Sequence, residues 1–315
     1  MSKKSTYLLG ILLTIIIGTL LYWYLCCSIC CNKQSCEVNK NEQEVTSDLS
    51  TEPDVKEPTF FPFSIKDANG DLSLSFDESF NFEKSKFIIL DSISTELNDV
   101  IVNIKEYFDA NGNKRFNITG FYTSDEINNS AFPNLGLARA NSVKNYMVSK
   151  GISSKLINIF GELNDEMVTD ANNVFNGPVK FDVFTRTEES SAKDEELKAA
   201  CEAIKENPLM LYFKTGAASI NLTAEQRQKF ADIARCVDKL DLKIQVVGHT
   251  DNTGTPEGNM TLGQNRADFV KDYLVSNGIL QENIQTSSEG QNQPIADNVT
   301  EEGRAKNRRI AVTIN

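Results

Sequence analysis

"RANSVKNYMVSKGI", starting at Arg139, and "RADFVKDYLVSNGI", starting at Arg266, are identical at nine of fourteen positions. Such an internal repeat decides the fold, because it says that one structural unit occurs twice. Upstream of each copy runs a strand-like stretch ending in glycine: "RFNITG" to Gly120 and "KIQVVG" to Gly248. Before that comes an amphipathic helix, with Leu97, Val100, Ile104 and Tyr107 in the first copy and Phe230, Ile233, Val237 and Leu240 in the second, at spacings of three and four. Each copy opens on an aromatic strand, "FNFEKSKFII" and "LMLYFKTGAASI", and closes on another, "VKFDVF" and "RRIAVTI". Thr223, three residues before Gln226, is placed to start a helix with a capping box, and the glycines of "SKGI" and "SNGI" stand where helices stop. The order strand, helix, strand, helix, strand predicts an α/β sandwich with helices on one face of a small mixed sheet, built twice.

The rest of the chain is divided by composition. Residues 32–58 are acidic, polar and nearly free of aromatics, as in "NEQEVTSDLSTEPDVKEP", and read as a linker. A second charged break at 186–196 separates the module at 59–185 from the module at 197–315. Residues 1–31 are an expected membrane anchor with a cysteine-rich end. The stretch from Tyr7 to Leu25 has 19 residues without a charge, which at about 1.5 Å per residue approaches the thickness of a bilayer core. Lys3 and Lys4 before it favour a cytoplasmic N-terminus, and Tyr22, Trp23 and Tyr24 form an aromatic end. A retained helix in the inner membrane, with both modules in the periplasm, is the expected arrangement; an outer-membrane anchor is the other option.

Five of the seven cysteines fall between Cys26 and Cys36, where intermolecular disulfides, acylation, metal binding or simple extension of the apolar run are all open. Leu25 before Cys26 does not suit a lipoprotein signal. Cys201 and Cys236 are either a disulfide or two free core thiols. The net charge of −12 and the absence of a Lys/Arg cluster argue against nucleic acid.

The only histidine, His249, stands in "GHTDNTG" beside Asp251 and invites a metal or catalytic reading. A zinc site needs roughly three or four His, Cys or acidic ligands, which this stretch lacks, and no placed nucleophile accompanies the histidine. No metal, cofactor or catalytic residue is therefore assigned, and His249 is expected to pack the loop. The two "DANG" turns, at Asp67 and Asp109, lack the further ligands of a calcium loop. In the helix after this loop, Leu262, Phe269, Val270 and Tyr273 are read as the apolar stripe with Arg266 among them, so the arginine needs an acceptor. Asp251 is the nearest candidate.

"VVGHTDNTG", Asn259, Leu262, the "RA" at Arg266 and "GRAKNRRI" from Gly303 resemble the OmpA-like peptidoglycan-binding domain, over about Asn207 to Asn315. The resemblance implies the same β-α-β-α-β sandwich and non-covalent binding of the cell-wall stem peptide, centred on diaminopimelate in many Gram-negative members. Carried onto this sequence, Asp251 would take the ligand ammonium and Arg266 its carboxylate, as an anion and a bidentate donor suit a zwitterionic head group. Thr250 and Asn259 would add hydrogen bonds. Arg309, with Asn307 and Arg308 less firmly placed, would border the site. The first copy departs from this pattern: it has "GFYT" for "GHTD", Thr123 where the aspartate belongs, one extra residue before Arg139 and no closing "NRR". It reads as a degenerate module with Asp125 or Glu126 as substitute acids. The expected function is a non-enzymatic, membrane-anchored tether to peptidoglycan, the first module serving as spacer or docking unit for an envelope protein or a second copy. The alternatives are a stator or transport subunit, disfavoured because residues 7–25 carry no ionisable group, and an interaction scaffold without wall binding.

Overall fold

The computed structural model describes residues 57–67, 72–90, 93–212 and 221–315. The expected transmembrane segment, the Cys26 to Cys36 cluster and all but the end of the 32–58 linker lie outside the described residues. No described helix is long and apolar enough to cross a membrane.

The first module begins with an antiparallel hairpin, β1 (Phe63–Lys66) and β2 (Ser73–Phe76), followed by β3 (Phe82–Glu83). Helix α1 (Thr95–Ala110) starts where the Ser94 side chain accepts a hydrogen bond from the Leu97 amide at 3.1 Å. Its buried face is Leu97, Ile101, Ile104 and Phe108, one step round from the expected stripe, with Val100 and Tyr107 at the edges. Then follow β4 (Lys114–Tyr122), α2 (Leu135–Ser149), β5 (Ile157–Leu163), β6 (Val174–Phe175) and β7 (Val179–Thr185). The main sheet has the order β5-β4-β7, with β5 parallel and β7 antiparallel to β4. Phe116 and Phe181 stack across it, with centroids 5.7 Å apart.

The opening strand of this copy is not where its sequence suggested. Only Phe82 and Glu83 are extended, and they pair with β6 rather than with the main sheet. Ser85, at φ 61°, turns the chain immediately afterwards, and the β1–β2 hairpin packs along β7 instead, with Phe63 4.6 Å from Phe181 between centroids.

The second module comprises α3 (Glu188–Glu206), β8 (Leu209–Tyr212), α4 (Ala224–Leu240), β9 (Ile244–His249), α5 (Pro256–Ser276), β10 (Ile284–Gly290), α6 (Glu301–Asn307) and β11 (Arg309–Ile314). The sheet order is β10-β9-β11-β8; β9 and β10 are parallel, and β11 runs antiparallel to both of its neighbours. Register puts Ile310, Val312 and Ile314 beside Gly248, Val246 and Ile244, and this face of the sheet builds the core. Each such side chain contributes roughly 1.5–3 kcal/mol on burial. Thr223 and Gln226 form the expected capping box at the start of α4.

The charged break at 186–196 is a helix rather than a linker. Its Glu, Lys and Ala residues are good helix formers, Lys198 and Lys205 make ion pairs one turn back to Glu195 and Glu202 at 2.6 and 2.8 Å, and Leu197, Cys201 and Ile204 form a buried stripe. Cys201 is disulfide-bonded to Cys236 of α4, so the pair left open by the sequence is a crosslink.

Val55–Asn315 forms one compact unit. Ala131, Phe132 and Ala138 of the first module belong to the core of the second, and Phe132 meets Phe230 edge-on at 5.4 Å. The Ala131 amide donates to Asn277 Oδ1 at 2.6 Å, and Asn141 Nδ2 donates to the Gly278 carbonyl at 3.0 Å. With its own cores and polar joints, this unit meets the requirements for folding alone.

Candidate functional site

The candidate site lies at the end of β9, where Thr250 and Asp251 leave the sheet for α5. Gly248 lets the strand touch the helix: a Cβ there would overlap the Gly263 carbonyl. Gly120 makes the same contact with Gly136 in the first module. The loop beyond is held in one shape. Thr250 N donates to the Gly290 carbonyl at 2.8 Å, its hydroxyl donates to the Asp251 carbonyl at 2.9 Å, and Thr253 N donates to Asp251 Oδ1 at 2.9 Å. Gly254, at φ 100°, turns the chain into Thr255, the N-cap of α5. Asn259 Nδ2 reaches back to the Asp251 carbonyl at 3.3 Å and to Gln291 Oε1 at 2.7 Å. Thr250 and Asn259 thus shape the loop that presents Asp251.

The Asp251 carboxylate is 12% exposed and pairs with Arg308, whose Nη1 donates to Oδ2 at 2.8 Å. Arg308 Nη2 donates to Glu301 at 2.6 Å, so that arginine forks between two acids. Burial pushes the Asp251 pKa up, but the Arg308 hydrogen bond, together with the Thr253 amide and hydroxyl, outweighs it and holds the carboxyl below its ordinary range. Arg266 stands near without joining. The Asp251 charge partly offsets the burial that lowers the Arg266 pKa and Arg308 opposes it, yet buried Nη1 of Arg266 has no hydrogen-bond partner among the described residues. The direct Asp251–Arg266 pair expected from the sequence is therefore replaced by Asp251–Arg308, which leaves the Arg266 guanidinium with an open donor.

The apolar stripe of α5 also differs. Asn259, Gly263, Ala267, Val270 and Leu274 are its buried residues, Leu262 is 42% exposed, and Arg266 lies at the margin of the buried face. Small residues face the sheet because helix and strand touch there, which displaces the larger ones.

Arg309 is not at the mouth of the site. Alternation along β11 puts it on the sheet face opposite Ile310, where Nη2 donates to the Gln293 carbonyl at 3.0 Å. His249 shares that face; burial and then Arg309 lower its pKa to about 4, so it is neutral and packed at pH 7. Asn307 is fully buried and its amide is saturated: Oδ1 accepts from Ile295 and Ala296 amides at 2.8 and 3.0 Å, and Nδ2 donates to the Ala296 carbonyl and Asn298 Oδ1, both at 2.9 Å. It shapes the 295–298 loop. Glu301 and Gln291, not singled out from the sequence, join the site through Arg308 and Asn259. The acid at Glu301, seven residues before Arg308, is the only local signal for the first.

The equivalent place in the first module is closed. Arg139 and Glu126 side chains are both 0% exposed and form an ion pair. Arg139 Nε donates to the Lys86 carbonyl at 3.0 Å and Nη1 to the Phe121 carbonyl at 2.9 Å, while Phe82 and Phe175 rings lie 5.6 and 5.2 Å from the guanidinium carbon. Glu126 also accepts from Ser85 N at 2.7 Å and Thr123 N at 3.0 Å. Of the two substitute acids, Asp125 is engaged by Lys84 and Thr123, both at 2.6 Å. Asp67, from the first "DANG", is buried and pairs with Lys114 at 2.7 Å. No group of three or more metal-ligating side chains occurs among the described residues.

Similarity to known proteins covers both modules. The OmpA family model matches residues 81–174 and 212–308, more than half of the chain, and takes in Glu126, Arg139, Asp251, Arg266 and Arg308. The peptidoglycan-binding protein ArfA of Mycobacterium tuberculosis is 37% identical over 120 residues, 38% of this chain and 36% of that protein. Outer membrane protein A of Bordetella avium is 46% identical over 94 residues, 30% of this chain and 48% of that protein. The matched part thus spans about a third to a half of these relatives. Among solved structures, the peptidoglycan-associated lipoprotein from Burkholderia pseudomallei is 28% identical, covering 34% of this chain and 89% of that one, with a TM-score of 0.30. The two-segment match places this chain in the OmpA family.

Proposed function

We propose that this chain is a non-catalytic protein of the bacterial envelope that binds peptidoglycan through its second module and ties the wall to a membrane through residues 7–25. The observation that carries this reading is the open donor of Arg266 beside the partly exposed Asp251 carboxylate. A buried guanidinium without an acceptor is costly, and a ligand carboxylate relieves it. The head group of diaminopimelate offers that carboxylate to Arg266 and an ammonium to Asp251, on one carbon. Arg308 then keeps Glu301 as its partner while the ammonium joins Asp251. The names of similar proteins support the ligand class, and the Cys201–Cys236 disulfide supports an oxidising compartment such as the periplasm.

Co-sedimentation of Val55–Asn315 with purified diaminopimelate-type sacculi tests the reading. Pelleting of the parent, and its loss in Asp251→Asn and Arg266→Ala variants shown to be folded by circular dichroism, is the expected result. A folded parent that stays in the supernatant would overturn it.

A further inference from the structure

Away from the Asp251 loop, a cleft of about 880 Å3 opens between the two modules. One wall is the face of the β5-β4-β7 sheet that carries Arg115, Asn117, Asn158, Phe160 and Phe184, brought to one side by the register of the three strands. The other is formed by α3 and α4, with Leu197, Ala231, Arg235 and Lys239.

The charges here do not balance, although the chain as a whole carries −12. Three of the four acids lining the cleft are already paired: Asp194 with Arg186 at 2.5 Å, Glu195 with Lys198 at 2.6 Å, and Asp238 with Lys144. The fourth, Asp232, accepts from Gln228 at 3.1 Å. Against these stand three cations with no carboxylate partner among the described residues. Arg115 Nη1 donates to the carbonyls of Gly112 and Lys114, at 2.9 and 2.7 Å. Lys239 Nζ donates to the carbonyls of Lys155 and Ile157, at 3.0 and 2.6 Å. Arg235 is exposed and makes no hydrogen bond or ion pair among the described residues. Burial holds Lys239 at about 8, Asp238 and Asp194 opposing and Arg115 and Arg235 adding to the depression, so Lys239 feels both arginines. Like charges focused in a cleft with apolar walls attract an anion.

We infer that the cleft between the modules binds a small organic anion, its charged head toward Arg115, Arg235 and Lys239 and its apolar body against Phe160, Phe184 and Leu197. The volume falls within the range of about 300–1,000 Å3 that accommodates small-molecule ligands. This site is separate from the Asp251 loop and stands whether or not that loop binds the wall.

The test is a fluorescence titration of Val55–Asn315 with 8-anilinonaphthalene-1-sulfonate, alongside its uncharged counterpart N-phenyl-1-naphthylamine. Saturable binding of the sulfonate at one site per chain is expected, tighter than binding of the uncharged probe. Arg235→Gln and Arg115→Gln should each weaken the sulfonate about tenfold, the worth of one charge-assisted hydrogen bond, and leave the uncharged probe unchanged. Asp251→Asn should alter neither. Equal affinity for the two probes, no saturable binding, or full sulfonate affinity in Arg235→Gln would overturn the inference. Arg235 is exposed and unpaired, so that variant keeps the fold and decides the matter even if Arg115→Gln does not.

Discussion

Arg139 and Arg266 begin the two halves of the same repeat, yet one is sealed and the other open. In the first module a glutamate of the chain itself fills the place in front of the arginine, two phenylalanine rings close over it, and no part of either charge reaches solvent. In the second, the acid of the loop turns to Arg308 and the arginine keeps a free donor. In the first module an intramolecular acid makes the arginine structural. On the proposed function, the same guanidinium serves stability in one module and recognition in the other.

The largest effect that would break this contrast is in the sealed pair. Glu126→Ala leaves Arg139 charged and buried without its acid and should lower unfolding stability by about 3–5 kcal/mol, measured in urea on Val55–Asn315. A loss no greater than that of Asp251→Asn would show that the two sites are equivalent after all. Next, replacing Cys201 and Cys236 together by Ala should cost about 2–4 kcal/mol with sacculus binding intact, since the bond braces α3 and not the loop. Acid should then act on the second module through His249. Its folded pKa of about 4 lies below the ordinary 6.5, so below 6.5 the unfolded chain binds the extra proton. Stability should fall by roughly 2 kcal/mol as the pH drops from 6.5 to 4, and His249→Gln should flatten that limb of a pH series of unfolding curves. Smallest of all is the stability loss in Arg266→Ala, expected to be no more than about 0.5 kcal/mol because no hydrogen bond of Nη1 is lost and a buried donor without an acceptor is removed. If that variant unfolds like Glu126→Ala, Arg266 is structural and the comparison collapses.

Much of the fold was legible because the repeat falls on helices and their stops. Gly151 and Gly278 adopt positive φ where the helices end, and Thr223 caps as its spacing with Gln226 implied. Helix α3 was hidden because a run of Glu, Lys and Ser suits a solvated helix and a linker equally; its buried stripe of Leu197, Cys201 and Ile204 was the available clue. Of the site, Asp251 and Arg266 were readable as types of chemistry, while their pairing was not, since the competing cation arrives from 57 residues downstream. Strand alternation in "RRIAVTI" was the missed signal: Arg309 alternates with the core residues Ile310 and Val312 and so belongs to the far face, which leaves Arg308 for Asp251. Thr250 and Asn259 bond the backbone of the Asp251 loop, whereas Asn307 holds the 295–298 loop, partnerships that their residue types alone do not specify.

The Cys201–Cys236 bond also has a mechanical meaning. A pull between the first module and the ligand proposed for Asp251 would enter the second module through α3. The crosslink passes that load straight from α3 to the end of α4, so the 34 residues between the cysteines, with edge strand β8 and most of α4 among them, lie off the line of force. Tension on the oxidised chain is then borne by the shared core and the last turn of α4, and edge strand β8 is shielded from being peeled away.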